Sequence, residues 1–322
     1  MFYIKAIAIA ILVYFLIDFI MPKFIEYLKN VGYHQVVSDY SLKEYQEKAK
    51  TPTMGGTTFV VVPIVVFLLI NILDLKDPKI WILVYSFFSY GLIGFIDDYI
   101  IVIKNNNDGL LPKYKLLFQL IAVLLFIFFY LTLSETWIII PFLDIKLDLG
   151  ILYGIFIVIM FTAETNAVNF TDGMDGLAAG VSFIAFLPYL LYAYYQKEFG
   201  VALFLVAVLS GLLAYFKYNR HPAKIFMGDA GALALGGLIA AVAMVLKVEL
   251  SLLIIGGVFL WEMLCVVIQQ LAVRILHRRV FIYTPIHYAF VKKGMNEVEV
   301  VRMFYVIQLI CSILGILLLF LS

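Results

Sequence analysis

With 322 residues, 64% of them apolar, the chain carries more apolar surface than a soluble domain can cover, and lipid is the solvent that tolerates it. Twenty-three basic residues against 22 acidic ones leave a net charge of +1, which excludes the basic field that nucleic acid requires. The two cysteines, Cys265 and Cys311, lie in apolar runs and exclude a disulfide framework or a cysteine metal site.

The N-terminus begins Met1-Phe2-Tyr3-Ile4-Lys5 and runs apolar to about Met21 with no small-residue cleavage site after it. It reads as a retained first helix rather than a signal peptide. A spanning helix needs about 20 apolar residues. Candidate spans fall near 2–22, 56–74, 80–97, 115–134, 150–167, 177–195, 200–217, 231–247, 250–272 and 300–321. The stretch 136–149, with Trp137, Pro141, Asp144 and Asp148, reads as a short interfacial segment. The loop after the ninth span is long and mixed, so a short helix is expected within it. No internal repeat, soluble domain or linker is apparent, which weighs against a transporter built from inverted halves. The fold expected is an all-α polytopic membrane protein of about ten transmembrane helices, in a single domain over 1–322.

With ten spans, the odd-numbered loops share one side. Those loops and their flanks hold 17 of the 23 basic residues, among them Lys23, Lys29, Lys104, Lys217, Arg274, Arg278, Arg279 and Arg302. The other side holds Lys5, Lys76, Lys79, Lys146, Lys197 and Lys247. The positive-inside bias places the odd loops in the cytoplasm and both termini outside.

The unusual polar clusters all fall in those same loops. Thr51-Pro52-Thr53-Met54-Gly55-Gly56 opens the second span, and Asp97-Asp98-Tyr99 closes the third. Asn166, Asn169, Asp172 and Asp175 lie between the fifth and sixth, with Gly173 and Met174 among them. Phe226-Met227-Gly228-Asp229 opens the eighth, and Pro285-Ile286-His287 lies in the last loop. The adjacent carboxylates Asp97 and Asp98 repel one another where solvation is poor, and a divalent cation or a shared proton relieves that. The plain alternative is a helix end reaching water. Asn169, Asp172 and Asp175 are spaced by three, so a helix there would stack their oxygens on one face. Hard oxygen ligands suit Mg²⁺, which keeps sites for water and phosphate oxygens; the plain alternative is a solvated loop with an N-cap. Asp229 likewise reads as either an N-cap or a ligand. Phe226 reads as a stacking face for a flat base or as a membrane-belt aromatic. Lys48, Lys113 and Lys115 suit a diphosphate, or are ordinary positive-inside charge. His34, His221 and His277 have no ligand spacing and receive no role. Glu262 and Asp18, inside apolar runs, read as paired within the bundle. Carboxylates, amides and lysines at one membrane face suit Mg²⁺-assisted phosphoryl transfer involving a lipid.

Taken together, Lys48…Thr51-Pro52-Thr53-Met54-Gly55-Gly56, Asp97-Asp98-Tyr99, Asn166…Asn169-Phe170-Thr171-Asp172-Gly173-Met174-Asp175-Gly176-Leu177, Phe226-Met227-Gly228-Asp229 and Arg279-Val280-Phe281…Pro285-Ile286-His287 resemble the MraY family of bacterial phospho-N-acetylmuramoyl-pentapeptide transferases. The match runs in order over nearly the whole chain. The Asn/Asp-Gly and Met-Gly-Asp blocks are shared with the wider polyprenyl-phosphate N-acetylhexosamine-1-phosphate transferase superfamily. The resemblance implies a single transmembrane transferase domain in the bacterial inner (cytoplasmic) membrane, a homodimer, and an active site on the cytoplasmic face. It implies transfer of phospho-MurNAc-pentapeptide from UDP-MurNAc-pentapeptide to undecaprenyl phosphate, giving lipid I and UMP in peptidoglycan synthesis. Mg²⁺ is the implied cofactor, with Asp229 its ligand. Asp97, Asp98, Asp172 and His287 are implied to be catalytic, with Asp97 chosen to deprotonate or orient the lipid phosphate. Thr53, Lys48, Lys113, Lys115, Asn169 and Asn219 are implied around the nucleotide and phosphates. Phe226 is implied to stack on uracil, with Gly173, Met174 and Asp175 completing the uridine pocket. Nucleoside inhibitors of the tunicamycin type are implied ligands.

Three positions depart from the family pattern. Its usual three histidines read His287-Tyr288-Ala289 here, Ile101 stands where a lysine usually follows the Asp-Asp-Tyr block, and Lys50 stands where a glycine is usual. These changes bear on the sugar-phosphate end of the substrate. A close alternative is an N-acetylhexosamine-1-phosphate transferase of the same superfamily. A cation-coupled transporter is an alternative of another class, and it would place ionisable groups near the bilayer midplane rather than at span ends.

Overall fold

The structure, a computed structural model, describes residues 2–31, 51–72, 75–104, 109–141, 143 and 145–321. Lys48, Lys50 and Asp144 lie outside the described residues. In chain order the helices are α1 (Phe2–Val31), α2 (Gly56–Ile70), α3 (Pro78–Lys104), α4 (Pro112–Tyr130), α5 (Leu152–Thr171), α6 (Leu177–Tyr195), α7 (Phe199–Asn219), α8 (Gly228–Val245), α9 (Gly257–Leu276), α10 (Ile286–Lys292) and α11 (Glu297–Leu321). Among the described residues nine are long and apolar enough to cross a membrane, and α2, at 15 residues, is a shorter apolar helix. Ten apolar helices thus follow the expected order, nine of them of spanning length, and the short helix expected in the last loop is present.

Burial separates lipid-facing helices from the core. In α1 the buried residues are Ile9, Val13, Ile17, Met21, Ile25 and Leu28, a stripe at helical spacing. Its other faces expose Ile4, Ile7, Phe15 and Phe19. A helix apolar all round but buried on one stripe is solvated by lipid on the rest. α8 is the opposite case: every residue from Ala230 to Val245 is buried. Its Gly and Ala residues let neighbours approach closely, as small residues do between membrane helices. α3 packs along it on one side and α5 on another, while α7 packs against α1, α2 and α6. A methyl on Gly236 would lie 2.5 Å from Thr165 Cα, and one on Gly237 would lie 2.6 Å from Tyr90.

Two spans differ from expectation. The expected helix over 250–272 is broken into a 3-10 turn (Glu249–Ser251), a single helical turn (Leu252–Ile255) and α9 from Gly257. The adjacent Gly256 and Gly257 are poor helix formers and supply the break. α3 runs past Asp97 and Asp98 to Lys104, because those carboxylates find partners inside the protein rather than ending the helix.

The interfacial stretch forms a hairpin, β1 (Trp137–Ile140) antiparallel to β2 (Ile145–Asp148), with Trp137 opposite Asp148. It adds a small sheet to the expected all-α fold. Lys247 Nζ donates to the carbonyls of Glu135 at 3.0 Å and Trp137 at 2.7 Å. It also lies 3.3 Å from Glu249 Oε1, tying the hairpin to the far end of α8.

Candidate active site

The site forms at the end of the bundle where α8 begins. Three backbone hydrogen bonds join two loops there. Phe226 N donates to Pro52 O at 2.8 Å, Gly55 N to Phe226 O at 2.9 Å and Gly56 N to Met227 O at 2.9 Å. The Thr-Pro-Thr-Met-Gly-Gly and Phe-Met-Gly-Asp blocks are thus one structural unit. A methyl on Gly56 would lie 2.2 Å from Gly231 N, so the pairing requires both glycines.

Asp98, only 4% exposed, sits beneath the first turn of α8. Its Oδ1 accepts from Asp229 N and its Oδ2 from Ala230 N, both at 3.0 Å. A carboxylate there satisfies two orphan amides and faces the positive end of the helix dipole. Gly228 has φ +73°, a conformation glycine adopts freely, and a methyl on it would meet Asp98 Oδ2 at 2.4 Å. The same first turn aims Asp229 outward. Its Oδ1 accepts from Asn169 Nδ2 at 2.6 Å, and its Oδ2 from the Lys115 ammonium. Lys115 Nζ also donates to Asp97 Oδ2 at 3.3 Å, and Asp97 Oδ1 accepts from Leu110 N at 2.6 Å. Asp229 keeps 20% of its side chain exposed. Of the three carboxylates, it is therefore the one best placed to reach a ligand.

Asn169, Asp172 and Asp175 do not share a helix face. α5 ends at Thr171 and Gly176, at φ +78°, turns the chain into α6. Asn169 reaches Asp229. Asp172, beyond the helix end, accepts from Gly228 N; burial, with the charges of Asp229 and Asp175 adding, pushes its pKa up to about 7. Asp175 turns away to a second cluster. Its Oδ2 lies 3.1 Å from His221 Nδ1 and accepts from Ala223 N at 3.0 Å, while its N donates to Glu297 Oε1 at 2.7 Å. By ligand type and spacing the Asp175, His221 and Glu297 group could hold a metal ion, and it lies apart from the Asp229 carboxylate. Asn219 ties the same loops, accepting from Gly176 N at 3.1 Å and donating to Ile225 O at 3.0 Å.

His287 is fully buried at the start of α10, with Nδ1 2.9 Å from Glu262 Oε1. Tyr288, which replaces a histidine of the family pattern, donates its hydroxyl to Gly173 O at 2.8 Å. Burial raises the Tyr288 pKa, so that hydroxyl stays a donor. Thr53 and Met174 are buried beside the cluster and Phe226 is half-buried. Lys113 is exposed with its ammonium 5.0 Å from the Tyr114 ring, outside the hydrogen-bonded cluster. Glu262 is paired inside the bundle as expected, with His287; Asp18 is paired with Lys217 at 2.7 Å, but at the surface of the bundle, where both side chains stay partly exposed. His221, Glu297 and Tyr288 were assigned no role from sequence, and no local spacing marks them.

A multi-pass membrane protein with carboxylates, an amide and an ammonium gathered where several helices begin or end is built to act on a charged group at a membrane face. Residues 80–247, from α3 to just beyond α8, match the family described as Glycosyl transferase family 4. A phospho-N-acetylmuramoyl-pentapeptide-transferase of Staphylococcus saprophyticus is 43% identical over 321 residues, covering 98% of each chain. Proteins of the same name from Bacillus thuringiensis and Bacillus cereus are 42% identical over 297 residues, covering 92% of each chain. The chain belongs to this family, the MraY family, and is a phosphoglycosyl transferase.

Proposed function

We propose that the protein transfers phospho-MurNAc-pentapeptide from UDP-MurNAc-pentapeptide to undecaprenyl phosphate, with Mg²⁺, at the cytoplasmic face of the bacterial inner membrane, forming lipid I and releasing UMP. The reading rests on full-length similarity to enzymes of that name and on one observation above all: the carboxylates of Asp97 and Asp229 converge on a single ammonium, Lys115. That donor set fits Mg²⁺. It is all oxygen, it carries more negative charge than one lysine neutralises, and Asp229 remains open on one side. Asp229 would hold the ion with Asp97 close by, and the ion would neutralise charge on the diphosphate.

The protein's own residues supply the rest. Asp98 fixes the start of α8 and thereby the direction of Asp229. Asn169 orients one Asp229 oxygen and leaves the other to a cation. Lys115 supplies a positive charge to phosphate oxygens. Asp172 stands beside Gly228, and Phe226, Gly173 and Met174 border the uridine position. The lipid phosphate is already an anion near neutral pH, so direct attack on the diphosphate needs little activation, with Asp97 orienting it. Both Asp98 oxygens are held by backbone amides, which supports direct attack over a nucleophilic Asp98. Trapping a phosphorylated Asp97 or Asp98 would refute direct attack. A homodimer belongs to the same reading.

The test is UMP release by purified protein with Mg²⁺ and undecaprenyl phosphate. Release with UDP-MurNAc-pentapeptide and not with UDP-N-acetylglucosamine is expected. Release with the simple sugar alone would move the chain to an N-acetylhexosamine-1-phosphate transferase, and release with neither would end the transferase reading of its substrates.

A further inference from the structure

We infer that Glu262 is a positioning residue, which holds the His287 ring so that Nε2, left as a hydrogen-bond acceptor, meets a hydroxyl or amide N–H of the sugar nucleotide at the Asp172–Gly173 turn. The inference rests on the proposed substrate class and adds to it a residue on α9 that lies outside every sequence block of the site.

Glu262 has no exposed surface and sits inside a spanning helix. A carboxylate there requires dedicated donors. It has three, all from one place: Ile286 N at 2.8 Å, His287 N at 3.3 Å and His287 Nδ1 at 2.9 Å. Two of them fix the backbone at the start of α10. The third fixes the ring, because a carboxylate beside Nδ1 keeps the proton on that nitrogen and sets which way the ring faces.

The other ring nitrogen is the informative one. His287 Nε2 is fully buried and has no hydrogen-bond partner among the described residues. Buried polar atoms are nearly always paired, and an orphan invites a ligand. Nε2 is aimed at Gly173, where a methyl group would lie 2.3 Å from it. Gly173 adjoins Asp172, and Asp172 is bonded to Gly228, next to Asp229. Nε2 therefore points at the turn that leads, through Asp172 and Gly228, to Asp229. Tyr288 donates to Gly173 O and holds the turn against the ring. Bound substrate supplies the missing partner as a hydrogen-bond donor, with no proton transfer required.

The experiment compares the wild type, Glu262→Gln, His287→Ala and the double variant for UMP release. Glu262→Gln is expected to lower kcat/KM about 10- to 100-fold, as loss of a residue that orients a functional ligand does. It should lower the His287→Ala protein no further. A decrease by the same factor in both backgrounds would show that Glu262 only caps α10, and would overturn the inference. ¹⁵N-histidine spectra in detergent provide a second readout that needs no turnover and no folded variant. The wild-type His287 ring should carry its proton on Nδ1, and adding the UDP-sugar should shift the Nε2 resonance. A ring protonated on Nε2 alone, or an Nε2 resonance unmoved by a sugar nucleotide that the protein turns over, would refute it. A protein that shows the Nδ1 proton but releases no UMP would fail the substrate reading and leave the Glu262 geometry standing.

Discussion

Asp97 and Asp98 are neighbours in sequence, but successive helical residues point about 100° apart, and their carboxylates have different partners. Asp98 is consumed by two amides of α8, whereas Asp97 faces Lys115. Asp229, open and held at one oxygen by Asn169, should be the least replaceable. We expect Asp229→Asn to reduce UMP release at least about 100-fold and to raise the Mg²⁺ concentration for half-maximal rate, since a lost charge-assisted contact to a ligand is worth a few kcal/mol. Asp148→Asn, in the hairpin, should stay within about twofold; equal losses would remove the ligand assignment. Asp172 gives a pH signature. Its pKa is pushed from the usual value to about 7. Between about pH 4 and 7 the unfolded chain ionises while the folded one stays protonated, so stability falls across that window and levels above it. Asp172→Asn removes the penalty. In chelator, its melting temperature should exceed the wild type's by a margin that grows from pH 4 to 7 and is constant above. A margin independent of pH would mean the carboxyl is ionised at its ordinary value. Residues such as Asp229 and Asn169 were legible in sequence because their chemistry is written in short blocks. The partners of Glu262 and His221 were not, because they lie 25 and 46 positions away in the chain, which no local spacing encodes.

At the scale of elements, the apolar runs announced the helices, and the termini of the helices carried the surprises. Ten runs became ten helices because lipid leaves the backbone no other way to satisfy its hydrogen bonds. The break at Gly256 and the extension of α3 to Lys104 depend on partners outside the run, and hydropathy cannot see partners. The contact between α3 and α8 is the joint that aims the site. A methyl on Gly94 would lie 2.0 Å from Asp229 O, so Gly94→Ala must push α3 away from the first turn of α8. We expect it to cost about 1–3 kcal/mol of stability, as overpacking does, and to cut UMP release by more than tenfold. Gly154 in α5 has nothing within 4 Å of an added methyl. Gly154→Ala should leave turnover intact and stabilise by up to about 1 kcal/mol through helix propensity. Thermal melting and UMP release on both variants check the pair, and a Gly94→Ala protein as active as Gly154→Ala would show that the joint does not position the site.

At the scale of the whole molecule, the two ends of the bundle are chemically different. One end holds Asp97, Asp98, Lys115, Asn169, Asp172 and Asp229; the other holds the hairpin bound through Lys247. Burial pulls the Lys247 pKa down, and that lysine anchors the hairpin from within. By sequence, 17 of the 23 basic residues fall in the odd-numbered loops and their flanks, and the positive-inside bias assigns those loops to the cytoplasm. The acidic end is also where a nucleotide-linked sugar would have to be met. The orientation therefore carries the function with it, and it is measurable without any substrate. In a Cys265→Ser, Cys311→Ser background, Lys146→Cys in β2 should react with an impermeant maleimide on intact cells. Lys224→Cys, in the exposed turn between α7 and α8, should react only after the membrane is permeabilised. The reverse pattern would put the carboxylate cluster outside, away from the proposed sugar-nucleotide donor and against the charge bias. It would overturn the proposed reaction even if every distance within the site were correct.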